Sequence, residues 1–219
     1  MKKILYIIFI IFLVSCEMEV SGNIYLQDLI DTIQNPQENF YTEANVAFEI
    51  LSDKDKEKYM NFISNHFKDA KNFRIESRGL KTFIYADIKI PIVLKKNDSQ
   101  HLAHLISIIV DSIQENEIDF GIYLNKDKFK QLQDYVQEEY LTNLSISDLK
   151  IYTKIMNNTK SDATIHLTSV YANQEPVAFP KEFSLKKRDT INIEISNVLR
   201  DYIYENDTAI FAKFKNYQK

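Results

Sequence analysis

Over 219 residues the chain has one cysteine, three glycines and four prolines. Each scarcity excludes something. A lone cysteine, Cys16, leaves no intrachain disulfide, so the fold must be held by its core even in an oxidising compartment. The glycines, Gly22, Gly79 and Gly121, are too scattered to make a phosphate-cradling loop, and none frames a serine as G-x-S-x-G. Nucleotide binding and elbow-type serine hydrolysis therefore have no motif to rest on. Pro36, Pro91, Pro176 and Pro180 are equally dispersed, and no Pro/Gly/Ser-rich linker or low-complexity tract occurs. Charge of one sign is also lacking. With 27 basic and 31 acidic residues the net charge is −4, which argues against a nucleic-acid surface.

The long apolar run is at the start. Met1-Lys2-Lys3 is a short basic opening, Ile4 to Val14 is unbroken apolar sequence, and Ser15-Cys16 closes it. At about 1.5 Å per residue this run spans roughly 16 Å, half of a hydrocarbon core of about 30 Å, so cleavage is favoured over crossing. The arrangement resembles a bacterial lipoprotein signal, with Leu13-Val14-Ser15-Cys16 as its lipobox. The resemblance implies signal peptidase recognition of Leu13, Val14 and Ser15, cleavage before Cys16, a diacylglyceryl group on the thiol and an acyl chain on the amine. Residues 1–15 are then a signal peptide and residues 16–219 the body. Loss of Lys2 and Lys3 takes the body to a net charge of −6, so anionic-lipid attraction is not the anchoring force. Each buried methylene contributes about 0.8 kcal/mol, and two or three chains hold firmly where one would not. The expected location is the cell envelope, lipid-anchored and facing the periplasm. Glu17 follows the cysteine in place of the aspartate associated with inner-membrane retention, which leans the assignment to the outer membrane. Met18, Val20 and Ile24 already alternate as a strand, so no flexible tether is expected and the body should sit close to the bilayer.

Period-two alternation dominates the rest. Core faces are expected from Thr42 to Ile50, Ile84 to Leu94, Ile118 to Leu124, Leu149 to Ile155, Ala163 through Ser169 to Tyr171, Ile191 to Ile195, and Ala209 to Phe214. Pro91, lacking a ladder donor, predicts an edge or bulge. Two longer helices are expected, one from the stripe Tyr59, Phe62, Ile63, His66 and Phe67 after a Ser52/Asp55 start signal, the other from Phe129, Leu132, Tyr135, Val136 and Tyr140. Short helices are expected at Leu26–Gln34 and Asn197–Tyr204. Residues 102–113 fit a helix by spacing. Their β-branched density favours a strand paired with 117–124 through a turn at 114–116. The fold class is α+β with mostly antiparallel sheet, and a subdomain division near residue 115 is open.

Candidate sites are few. His101 and His104 would share a face on a helix but point to opposite faces on a strand, so the strand reading dissolves an H-x-x-H metal pair. His66 lies on an apolar helix stripe and His166 on the polar side of a strand. Carboxylates such as Asp53, Asp55, Glu57, Glu138 and Glu139 stand among lysines as solvated helix faces. Lys186-Lys187-Arg188 with Asp189 predicts a hairpin turn. No catalytic residue, metal site or cofactor emerges. The expected function is a non-enzymatic module that binds an envelope protein. A carrier or sensor of an apolar ligand such as lipid is the alternative, and it would need a cavity between sheet and helices.

Several stretches, in order, are similar to an uncharacterised family of small bacterial lipoproteins, some carried by phage-like elements. They are Val20 to Tyr25 with Asp28-Leu29, Tyr85 to Ile88 with Pro91 to Val93, Gly121 to Asp127, Ser147 to Ile151, and Lys187 to Thr190 with Ser196 to Val198. That family is a domain of unknown function, so the resemblance implies no activity, ligand or catalytic residue.

Overall fold

The computed structural model describes residues 16–50, 56–96, 103–114, 117–140 and 142–215. The fold is α+β. Thirteen strands form one mostly antiparallel sheet: β1 (Met18–Tyr25), β2 (Phe40–Ile50), β3 (Lys68–Arg78), β4 (Lys81–Leu94), β5 (Ile106–Gln114), β6 (Glu117–Leu124), β7 (Leu149–Met156), β8 (Ala163–Leu167), β9 (Val170–Ala172), β10 (Glu175–Val177), β11 (Lys181–Leu185), β12 (Thr190–Ile195) and β13 (Thr208–Lys215). Among the described residues four helices accompany it, α1 (Leu26–Gln34), α2 (Lys56–His66), α3 (Lys126–Tyr140) and α4 (Asn197–Asn206), with a 3-10 turn at Ile146–Asp148.

The spatial order is β10-β9-β12-β7-β1-β2-β4-β5-β6-β13-β8-β11, with β3 also on β4. Among the described strands, β1/β7 and β4/β5 pair in parallel and the other pairs are antiparallel. The two ends of the order, β10 and β11, are consecutive in the chain and separated by residues 178–180 alone. Four residue steps reach at most about 14 Å, so the sheet must curl until its ends nearly meet. Lys181 and Glu175 face each other across that gap at 3.7 Å.

The inner face carries the alternation that the sequence predicts. Ala44, Val46, Phe48 and Ile50, then Ile84, Ala86, Ile88, Ile90 and Ile92, then Ile118, Phe120, Ile122 and Leu124 are buried in one continuous core. The helices add Leu26, Leu29, Ile30, Tyr59, Phe62, Ile63, Phe129, Leu132, Val136, Leu199 and Ile203 to that same core. Aromatic pairs join them: Phe62 stacks on Tyr135 at 4.8 Å, and Phe129 meets Tyr204 edge-on at 5.9 Å. Asn125 caps α3 by accepting from the Lys128 amide, and Ser196 caps α4 by accepting from Leu199.

Of the strand expected over 102–113, residues 106–113 form it and pair with β6, and it runs on through Gln114, which the expected turn had claimed; 103–105 are a turn leading into it, and residue 102 lies outside the described residues. Pro91 sits where the far side of β4 changes partner, after β3 pairs at Lys89 and before β5 pairs at Ile92, so its missing donor falls at a fork. Three expectations need correction. First, β3 is a strand that the alternation did not reveal. Second, the run expected from Ala163 to Tyr171 breaks at Ser169, whose backbone turns left-handed (φ 59°). Burial then shifts by one position, so Val170 and Ala172 point inward and Tyr171 outward. Third, Lys186 to Asp189 form a turn, closed by the Asp189 amide on the Lys186 carbonyl at 2.9 Å, but not a hairpin, since β11 pairs with β8 while β12 pairs with β7 and β9. The Ser52/Asp55 start signal, His101 and the turn residues 115–116 lie outside the described residues.

Candidate functional site

Cys16 stands two residues ahead of β1. Leu13, Val14 and Ser15, expected to precede a cleavage site, lie outside the described residues. The Cys16 amide donates to the Asn143 carbonyl at 3.2 Å, and its thiol donates to the Glu49 carbonyl at 3.1 Å. The side chain is 1 % exposed. Burial, with Glu49 and Asp148 nearby, pushes the thiol far above its ordinary value, so in this seat it is a neutral thiol and not a nucleophile.

A polar cluster on the outer face locks the residues that follow. Lys81 reaches both Glu17 (2.9 Å) and Glu49 (2.8 Å), Lys150 pairs with Glu17, and Arg78 pairs with Glu19 at 2.5 Å. The Glu17 amide also donates to the Glu49 carboxylate at 3.1 Å. Burial acts to raise the Glu17 carboxyl, but hydrogen bonds from Lys150 and Lys81 outweigh it and hold the group below its ordinary value. The same contacts, to Glu49 first and then Glu17, raise Lys81. Arg78 also lies over the rings of Phe83 and Tyr85, 5.2 and 5.0 Å from their centroids.

An open groove of about 570 Å³ lies on the same outer face. Strand register builds it. Tyr171 of β9 pairs with Glu194 of β12, Glu194 with Tyr152 of β7, Tyr152 with Ser21 of β1, and Ser21 with Asn45 of β2. The row one pleat further along holds Asn192, Lys154 and Asn23. Two rows of outward side chains thus cross adjacent strands, and the small Ser21 leaves a trough between Tyr152 and Asn45. The amides of Asn23, Asn45 and Asn192 and the phenols of Tyr152 and Tyr171 have no hydrogen-bond partner among the described residues. Burial and then Glu194 raise Tyr152, which keeps its phenol a neutral donor. The groove continues through Asn23 and Asn45 into a second, charged hollow of about 260 Å³ that includes Asp69, Lys71, Asp87 and Lys89.

The three described histidines do not converge. The His66 imidazole stacks on Phe62 at 4.2 Å, with Nδ1 2.9 Å from the Phe62 carbonyl, a packed position as its stripe predicts. His104 lies edge-on to Tyr41 at 6.4 Å, and His166 faces Glu182 at 3.3 Å across β8 and β11. Among the described residues no three metal-ligating side chains gather, and no helix is long and apolar enough to cross a membrane. On α3, Glu139 pairs with Lys58 of α2 at 2.8 Å, within the solvated face that the sequence indicates. The groove residues escaped the sequence reading because no two of its strands contribute neighbouring positions in the chain. Tyr171 was further hidden by the kink at Ser169.

Family models match residues 18–216 to a domain of unknown function, DUF7424. Neither the curated proteins nor the solved structures gave a match. The matched span runs from the first residue of β1 to beyond the last of β13, and the chain belongs to the DUF7424 family.

Proposed function

We propose that this protein is a lipid-anchored envelope lipoprotein, a non-enzymatic module that works by binding a component of the cell envelope at its outer sheet face. The observation that carries this reading is the join between anchor and body. The lipobox cysteine is followed after one residue by β1, and the Glu17–Lys81–Glu49 cluster fastens that strand, so the body rides at the bilayer with the groove strand β1 held in place. A diacylglyceryl thioether does not fit a seat that leaves Cys16 1 % exposed. Lipid is therefore added to the unfolded chain, where the thiol is reactive, and the modified side chain turns out from beneath the Glu49 carbonyl. The leaning to the outer membrane follows from Glu17. A protein that gathers polar, unpartnered side chains in an open surface groove suits recognition better than carriage of an apolar ligand.

Cys16→Ala should move the protein from the membrane to the soluble fraction or stall it at the precursor mass. Unchanged fractionation and mass would refute the anchor. Photo-crosslinking from the groove in native membranes, which captures carbohydrate and protein alike, should yield a defined adduct, and recovery of the lone protein would refute the binding role.

A further inference from the structure

We propose that the groove across β9, β12, β7, β1 and β2 is a binding site for an uncharged polyhydroxylated chain, a saccharide strand. This rests on the binding role above and names its ligand class.

Three observations select that chemistry. First, the polar groups point outward and are unpaired. Asn23, Asn45 and Asn192 each offer a donor and an acceptor from one amide, which suits hydroxyl groups that also both give and take. Second, Glu194 stands in register between Tyr171 and Tyr152. A carboxylate can accept from two neighbouring hydroxyls, while flanking rings can cover the apolar C–H faces of a sugar. Third, the row spans five strands, about 19 Å at roughly 4.8 Å per strand, so it fits a chain lying across the sheet and exceeds what a single small molecule needs.

Other ligands fit less well. A peptide that adds as a strand needs an open edge, and all five strands are paired on both sides. Glu194 and Lys154 are the charged side chains lining the groove, one of each sign, so neither a polyanion nor a polycation is matched. An apolar ligand would strand the three amides.

The test uses full-length protein extracted from native membranes in a detergent without a sugar headgroup, titrated with chitotetraose and with maltotetraose by saturation-transfer NMR and calorimetry. At least one should bind. Chitotetraose alone would indicate an amino-sugar strand such as wall glycan, and maltotetraose alone a neutral hexose polymer. Tyr171 and Asn192 are exposed, so Tyr171→Ala and Asn192→Ala should fold normally, keep the urea midpoint, and weaken binding by about tenfold. Binding of neither sugar, or binding indifferent to both substitutions, overturns the proposal. Tyr171→benzoylphenylalanine, photolysed in cells, should give a muramidase- or glycosidase-sensitive adduct. A protein adduct there would keep the binding role and overturn the saccharide, whereas loss from the membrane fraction would strike the anchor alone.

Discussion

Gly121 of β6 lies directly against the Ala209 carbonyl of β13: a Cβ added at 121 would fall 1.9 Å from that oxygen and 2.7 Å from its carbon. The contact occurs where β13 slips register between Ile210 and Ala212. Backbone on both sides cannot yield as a flexible side chain could. Gly121→Ala should therefore lower stability by about 2–4 kcal/mol, read as a fall in the urea midpoint. Gly22→Ala makes a useful comparison, since its nearest contact would be an ordinary 3.5 Å to Ala44. Equal behaviour of the two variants would show that the crowding at 121 is absent.

Asn157 should be among the least replaceable polar residues. It is fully buried. Its Nδ2 donates to the Ser161 and Leu185 carbonyls, both at 2.9 Å, while Oδ1 accepts from the Thr159 amide (3.2 Å) and hydroxyl (2.7 Å). Removing the amide takes the side-chain donor from the buried Leu185 carbonyl and the acceptor from the Thr159 amide, so Asn157→Ala should cost about 2–4 kcal/mol. Asn157→Asp should be worse, because an oxygen would then face two carbonyls and a charge would be buried. Denaturant midpoints that rank Asp above Ala would contradict this geometry.

Acid should loosen the start of β1. The Glu17 carboxyl lies below its ordinary 4.5 in the folded protein. The folded state therefore binds fewer protons than the unfolded chain in that range. The resulting stability is complete above about pH 4.5 and is lost as pH falls through the folded-state value. Lys81 and Lys150 are nearly half exposed, so the gain is about 1 kcal/mol at most. Glu17→Gln should be less stable than wild type at pH 7, with the gap closing toward pH 3. A gap that stays constant with pH would rule the ion pairs out as its source.

Thiol chemistry offers a direct check on the Cys16 seat. In protein that carries a free Cys16 thiol, a thiol reagent at pH 8 should label Cys16 slowly while the chain is folded and fast in urea. Burial beneath the Glu49 carbonyl keeps the thiol protonated and covered. Rapid labelling of folded protein, with the urea midpoint unchanged by Cys16→Ser, would show that the seat is open.

Much of the inner face was legible because a half-buried strand announces itself by alternation. Leu26–Gln34 is the helix the sequence indicates, and the apolar positions of β2, β4 and β6 are the buried ones. β3 was hidden for a physical reason. It pairs only with β4, slips register twice, and carries Lys68, Lys71, Arg74 and Arg78 on a largely exposed edge, so it shows no apolar period. Tyr171 was misplaced because one left-handed residue, Ser169, reverses every side chain after it. The groove itself depends on register among five strands drawn from residues 18 to 195. No local pattern encodes that alignment, whereas the lipobox reading depends on four adjacent residues.

The near-meeting of β10 and β11 bears on how densely such molecules can be crowded together. An open sheet invites its neighbours to zip on, but here each terminus is short and guarded. β10 is three residues with Pro176 at its centre, β11 is five residues with Lys181 at its head, and the side edge, β3, is basic and kinked. Many copies held at close quarters can therefore jostle without polymerising, and their outer faces stay uncovered.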